Sequence, residues 1–142
     1  MMRSVSVAVV VALCVLAAAC DEGDPGIVQP TVHPATVTDT FTGNVTPNSA
    51  DSHAFVITLT GKIDITLTAV GPLSTAEVSV GIGIPTGLAC SLTLGDGTTV
   101  RTTAGSTPQI SGTVLPGTFC VVVYDIGRLT EPVDYTVTVA HP

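Results

Sequence analysis

The sequence predicts an all-β protein: a two-sheet antiparallel β-sandwich, jelly-roll-like, of eight or nine short strands with one disulfide, preceded by a cleaved signal peptide. Three observations carry this. From residue 35 onward, apolar and polar residues alternate with period two in segments about ten residues apart. Fourteen Gly and ten Pro punctuate the 142 residues, clustering between those segments. Only 11% of residues are charged while 45% are hydrophobic, and Val and Thr dominate, which suits pleated, half-buried strands and excludes a disordered chain. One domain is the natural count for this length.

The N-terminus reads as a processing signal. Arg3 supplies one positive charge, and Val5 to Ala19 then run without any. Fifteen helical residues would reach roughly 22 Å, short of the ~30 Å hydrocarbon core, so residues 1–19 fit a secretory signal better than a membrane span. Leu16-Ala17-Ala18-Ala19-Cys20 resembles a bacterial lipobox, with Ala17 where Leu is commoner. The resemblance implies that Cys20 is acylated and becomes the first residue of the mature chain. Residues 20–35 begin with Asp21-Glu22-Gly23-Asp24-Pro25-Gly26 and show no periodicity, as an acidic, Pro/Gly-rich tether should. Without Arg3, the mature chain sets Lys62, Arg101 and Arg128 against eleven acids, a net −8. Such a surface is repelled by anionic head groups, so membrane attachment is expected through the lipid alone.

Residues 36–142 carry the sandwich. Val37, Phe41 and Val45 punctuate a Thr-rich first strand, and Ala54 to Leu59 form the next. Thr60-Gly61-Lys62 is a tight-turn signal before Ile63-Asp64-Ile65-Thr66-Leu67-Thr68, whose Ile63, Ile65 and Leu67 should face inward. In Val78 to Ile84, Gly81 and Gly83 alternate with β-branched residues, as expected where a backbone or large side chain covers one face. Residues 90–94 and 98–102 flank Gly95-Asp96-Gly97, which reads as a hairpin turn. Residues 110–115, Pro116-Gly117 and Phe119 to Tyr124 read as strand, turn and strand. The valine run Val121-Val122-Val123 has too little alternation for a strand wet on one face, so it belongs centrally. Asp125 to Pro132 reads as a loop and Tyr135 to Ala140 as the last strand.

Of four Cys, processing would remove Cys14 and acylation would occupy Cys20, leaving Cys90 and Cys120. In an exported, oxidising compartment these two should pair. Closing a loop of about 30 residues stabilises by roughly 3 to 4 kcal/mol in the chain-entropy account.

Two stretches carry a family resemblance. Phe41-Thr42-Gly43-Asn44-Val45, Ala54-Phe55-Val56-Ile57 and Gly61 to Leu67 form the first. Leu115-Pro116-Gly117-Thr118-Phe119-Cys120-Val121-Val122-Val123-Tyr124-Asp125 with Asp134-Tyr135-Thr136-Val137-Thr138-Val139 form the second. Together they resemble a bacterial pre-peptidase C-terminal domain, a jelly-roll-like sandwich appended to secreted peptidases and other exported proteins. Glu77-Val78-Ser79 stands where that family has Asp-Leu-Tyr, so a metal or ligand role tied to that Asp does not carry over.

Little catalytic chemistry is legible. His33 lies in the tether and His141 next to the C-terminus, leaving His53. Asp51-Ser52-His53 cannot form a triad locally because adjacent strand residues point to opposite faces, so His53 is expected in a surface turn entering a strand. Gly81-x-Gly83 misses the dinucleotide spacing. Asp96, Asp125 and Asp134 are the acids that could meet around a hard cation, but without a dense alternation of carboxylates they read as solvated turn residues. No cofactor or metal is expected. The acidic balance and few rings exclude nucleic acid as a partner. The strands alternate Thr and Ser with apolar residues, which yields a hydroxyl-rich sheet face able to hold an extended polymer through many weak contacts. The expected function is therefore a lipid-anchored, non-enzymatic binding module of the bacterial cell envelope, engaging a polysaccharide or protein. The alternative is an accessory domain assisting a secreted peptidase or other hydrolase.

Overall fold

A computed structural model describes residues 34–92, 95 and 97–142. The signal segment, Cys20, His33 and Asp96 lie outside them, so the readings placed on those residues have no structural counterpart here. Among the described residues there is no helix, and nine strands form two antiparallel sheets.

Strands β1 (Val37–Val45), β9 (Val133–His141), β3 (Gly61–Gly71) and β7 (Ile110–Val114) make the first sheet in that spatial order. The second runs β2 (Ala50–Ile57), β8 (Gly117–Tyr124), β4 (Val78–Thr86), with β5 (Ala89–Ser91) and β6 (Thr99–Thr102) dividing the far edge of β4 between them. Period two decides what fills the space between the sheets. Ile63, Ile65 and Leu67 of β3 face inward as expected and meet Val137 and Val139 of β9 and Val78, Val80, Val121 and Val123 of the opposing sheet. Aliphatic side chains dominate this core, consistent with a chain that has three Phe and no Trp.

The valine run lies centrally, with β8 hydrogen-bonded to β2 on one side and β4 on the other. Both its faces are covered. Val121 and Val123 point into the core, whereas Cys120 and Val122 point outward and are still buried. The cover is the segment leaving β5: a Cβ added at Gly83 would collide with the Ser91 carbonyl, and one at Gly81 would lie 2.8 Å from the Leu92 side chain. The two glycines of β4 are thus required by a strap crossing the outer face, and the Cys90–Cys120 disulfide fixes that strap to β8.

Two connections run in ways their turn residues do not reveal, and one of them departs from the sequence reading. The segments around Gly95 and Gly97 are not hairpin partners, since β5 and β6 both pair with β4 and not with each other. Strands β7 and β8 follow each other through a turn as read, but they belong to different sheets, so Leu115-Pro116 is a corner between layers. In both cases a turn signal marks the break but not what the chain does next, because the edges of β4 and β3 offered unsatisfied ladders to pair with.

Register fixes the two ends of the sandwich. The β1–β2, β3–β4 and β8–β9 connections share one end; the β2–β3, β4–β5 and β7–β8 connections share the other, together with the start of β1 and the end of β9.

Candidate functional site

The outer face of the first sheet is built from hydroxyls. Alternation on β1 turns Phe41 and Val45 inward and places Thr38, Thr40 and Thr42 on the other side, exposed. Register aligns Thr40 with Thr138 of β9 and Thr138 with Thr66 of β3, so three Thr side chains stand in a row across three strands. Thr42 with Thr136, and Asn44 with Asp134, extend the array toward the end of the sheet. Ser111 and Thr113 of β7 sit opposite Asp64 and Lys62 of β3. Strand spacing of about 4.8 Å and a same-face repeat of about 7 Å make this a regular lattice of donors and acceptors. Part of it is committed internally: Thr68 Oγ1 donates to the Thr136 carbonyl at 3.2 Å, Thr138 Oγ1 to the carbonyl of Thr66 at 3.4 Å, and Asn44 Nδ2 to Asp134 Oδ1 at 2.9 Å, while Thr66 itself is buried. Lys62 lies 2.8 Å from Asp64, and its hydrogen bond, together with that of the Ser111 hydroxyl, holds the Asp64 carboxyl below its ordinary value.

One histidine is not where the sequence placed it. His53 is in the middle of β2, not in a surface turn, and His141 closes β9 nearly buried. Asp51 and His53 share one face of β2, with Ser52 on the other, so the triplet indeed provides no nucleophile beside the imidazole. Instead, Tyr135 arrives from the opposite sheet: its hydroxyl donates to Asp51 Oδ2 at 2.9 Å and accepts from His53 Nε2 at 2.9 Å. Burial, reinforced by the Asp51 hydrogen bond and charge, pushes the Tyr135 phenol far above its ordinary value. Phe41 stacks on the His53 ring at 5.0 Å, and Phe55 links Phe41, Phe119 and the His141 ring. His141 faces two oxygens, Asp39 Oδ2 at 3.1 Å and the Pro142 carbonyl at 3.0 Å. A protonated phenol held between carboxylate and imidazole ties β2 to β9. The seam where β1 and β2 close the sandwich is therefore a clasp of rings and hydrogen bonds.

Asp125 is a correction of another kind. It is buried, not solvated. Burial alone would raise its pKa, but backbone N–H groups of Asn48, Arg128, Leu129 and Gly127 converge on it and hold the carboxyl below its ordinary value. Its own N–H donates to the Ser49 carbonyl, so one residue binds the β8–β9 loop to the β1–β2 corner, where Asn48 takes a left-handed φ of 57°. Asp134 is occupied by Asn44, and among the described residues no three His, Cys, Asp or Glu side chains converge. Beside the Asp125 loop, an open groove of about 540 Å³ runs between Pro72-Leu73 and Leu129-Thr130, with Glu77, Glu131 and Arg128 on its walls. Among the described residues no helix is long and apolar enough to cross a membrane.

No protein-family model matches this chain, and no curated protein matches it.

Proposed function

We propose that the protein is a lipid-anchored component of a bacterial cell envelope whose sandwich is a non-enzymatic binding module, related to pre-peptidase C-terminal domains, and that the hydroxyl face of the first sheet is its ligand surface. The observation that carries this is the pair of exposed Thr40 and Thr42 on β1, in register with the half-buried Thr138 and Thr136 of β9. A flat lattice of hydroxyls with no large apolar side chain matches a polymer that presents hydroxyls of its own, so a polysaccharide is the favoured ligand. Individual hydrogen bonds exchanged with water contribute little, about 1 kcal/mol each, so affinity requires many of them along an extended chain. The clasp at the seam supports the non-enzymatic reading: its phenol is kept protonated, and its imidazole Nε2 is engaged with it.

The test is co-sedimentation of the full chain with insoluble cell-wall polysaccharide. Thr40→Val, Thr42→Val and Thr138→Val keep branched side chains of the same shape, so the fold should survive. Combined, they should weaken retention about tenfold or more if each removes a productive hydrogen bond. Retention unchanged in the triple variant but lost in Arg128→Ala would move the site to the groove and overturn the assignment to the sheet face.

A further inference from the structure

The end of the sandwich at which β1 begins carries more exposed aliphatic side chains than the other, where Leu73 and Ile126 are exposed. Leu59 lies in the β2–β3 connection, Leu88 at the tip of the β4–β5 turn and Leu115 at the β7–β8 corner, 51%, 103% and 69% exposed. The pairs Ile57–Gly117, Gly61–Val114 and Thr86–Ala89 put all three connections at the same end. Val37, half exposed, joins them where β1 begins opposite His141. Loop tips ordinarily carry Gly, Asn, Asp or Ser, and a Leu standing wholly in water at a two-residue turn contributes nothing to the core.

Charge is distributed oppositely. Asp51, Glu77, Asp125, Glu131 and Asp134 belong to the far half of the strands or to the far loops. Of the two described acids nearer the aliphatic end, Asp64 is paired with Lys62 at 2.8 Å and Asp39 is hydrogen-bonded to the His141 ring at 3.1 Å. Most of the described acidic charge therefore lies away from this end, where Asp39 is the one described acidic side chain without a Lys or Arg beside it. Cys20 precedes Pro34 by fourteen residues, which span no more than about 50 Å even fully extended.

We propose that this end of the sandwich docks on a zwitterionic lipid surface, with Leu59, Leu88 and Leu115 seated at its interface. The proposal rests on acylation of Cys20, which holds the end within reach of the bilayer and makes shallow, individually weak insertions effective by raising their local concentration.

The sequence contains no Trp, so a single introduced Trp reports alone. The full chain carrying Leu88→Trp is reconstituted in phosphatidylcholine vesicles with and without bromine on the acyl chains, beside a Leu73→Trp chain whose reporter sits at the opposite end. Leu88→Trp emission should move to shorter wavelength and be quenched about twofold or more by brominated lipid, as for a side chain at the headgroup–acyl boundary. Leu73→Trp should show neither effect, and adding Leu59→Ser and Leu115→Ser to Leu88→Trp should abolish both. Equal quenching of both reporters, or of neither, overturns the proposal. So does a blue shift that grows with protein concentration without vesicles, which would assign this end to a second copy of the chain. Mass spectrometry of the Cys20 peptide from the same preparations separates the two ideas. Acylated chain without selective quenching refutes docking alone; selective quenching of unacylated chain refutes the anchor alone.

Discussion

Gly43 shows how a residue with no side chain can be the most constrained in its neighbourhood. It sits on β1 where a Cβ would collide with the Asp51 carboxylate and lie 2.6 Å from the Tyr135 hydroxyl. Gly43→Ala should therefore destabilise the fold by about 1–3 kcal/mol through overpacking, read as a lower urea midpoint. Tyr135→Phe leaves two polar partners unmatched and should cost a similar amount, about 1–3 kcal/mol. It should also change the alkaline limb. Because the folded phenol ionises later than the unfolded one, its contribution is intact below about pH 10 and is lost as pH rises beyond it. Wild-type stability should fall above that pH, and Tyr135→Phe should flatten the fall. Asp125 works in the other direction: its folded carboxyl is held low, so its contribution is present above about pH 4 and disappears as pH drops through the folded value. Asp125→Asn should be less stable at neutral pH and should lose part of the acid dependence of the urea midpoint. None of these roles was legible in the sequence. Tyr135 lies 84 residues from Asp51 and Asp125 lies 77 from Asn48, and side-chain alternation says which way a residue points but not what meets it there.

Strands were legible where a single periodicity governed them. Ile63, Ile65 and Leu67 alternate and face the core, and the valine run of β8 is central because sheet neighbours and the strap cover it on every side. The glycines of β4 announced a covering segment before its identity could be known. Pairing was less legible: Gly and Pro mark where a strand stops, while the partner it next finds depends on which edge lacks hydrogen bonds. Gln109 illustrates the point, since its side-chain oxygen accepts the Leu67 N–H just ahead of the start of β7 and extends the ladder by means no periodicity encodes. The strap gives a sharp test. Gly83→Val would place its side chain against the Ser91 backbone, which cannot yield as a flexible tip could. It should destabilise by more than about 3 kcal/mol, beyond ordinary overpacking. Cys90→Ser with Cys120→Ser, which frees the strap without filling its space, should cost about 2–4 kcal/mol. Thermal denaturation of both variants beside the wild type would rank them.

For the molecule as a unit, composition and punctuation announced two sheets and one disulfide, whereas the hydroxyl face emerged only with register. A Thr at every second position promises hydroxyls on one side of a strand; neighbouring strands must align before those hydroxyls form a surface. Attachment is the property that belongs to the entire chain. Replacing Cys20 with Ser should release the protein from the membrane fraction or arrest its processing, and fractionation of cells expressing either form decides it. A variant that stays processed and membrane-bound would refute acylation.

The strap also determines how the protein should fail. Strands β5 and β6 occupy the outer edge of β4, and the first of them is tethered there by a single covalent bond to the middle of β8. Reduction frees the C-terminal half of β4, an edge of exposed amides flanked by apolar side chains, to recruit an equivalent strand from another molecule. Made in a reducing cytoplasm, the chain is expected to accumulate as thioflavin-reactive assemblies that dissolve poorly. Exported and oxidised, it should stay monodisperse, its solubility being a consequence of the compartment in which it matures.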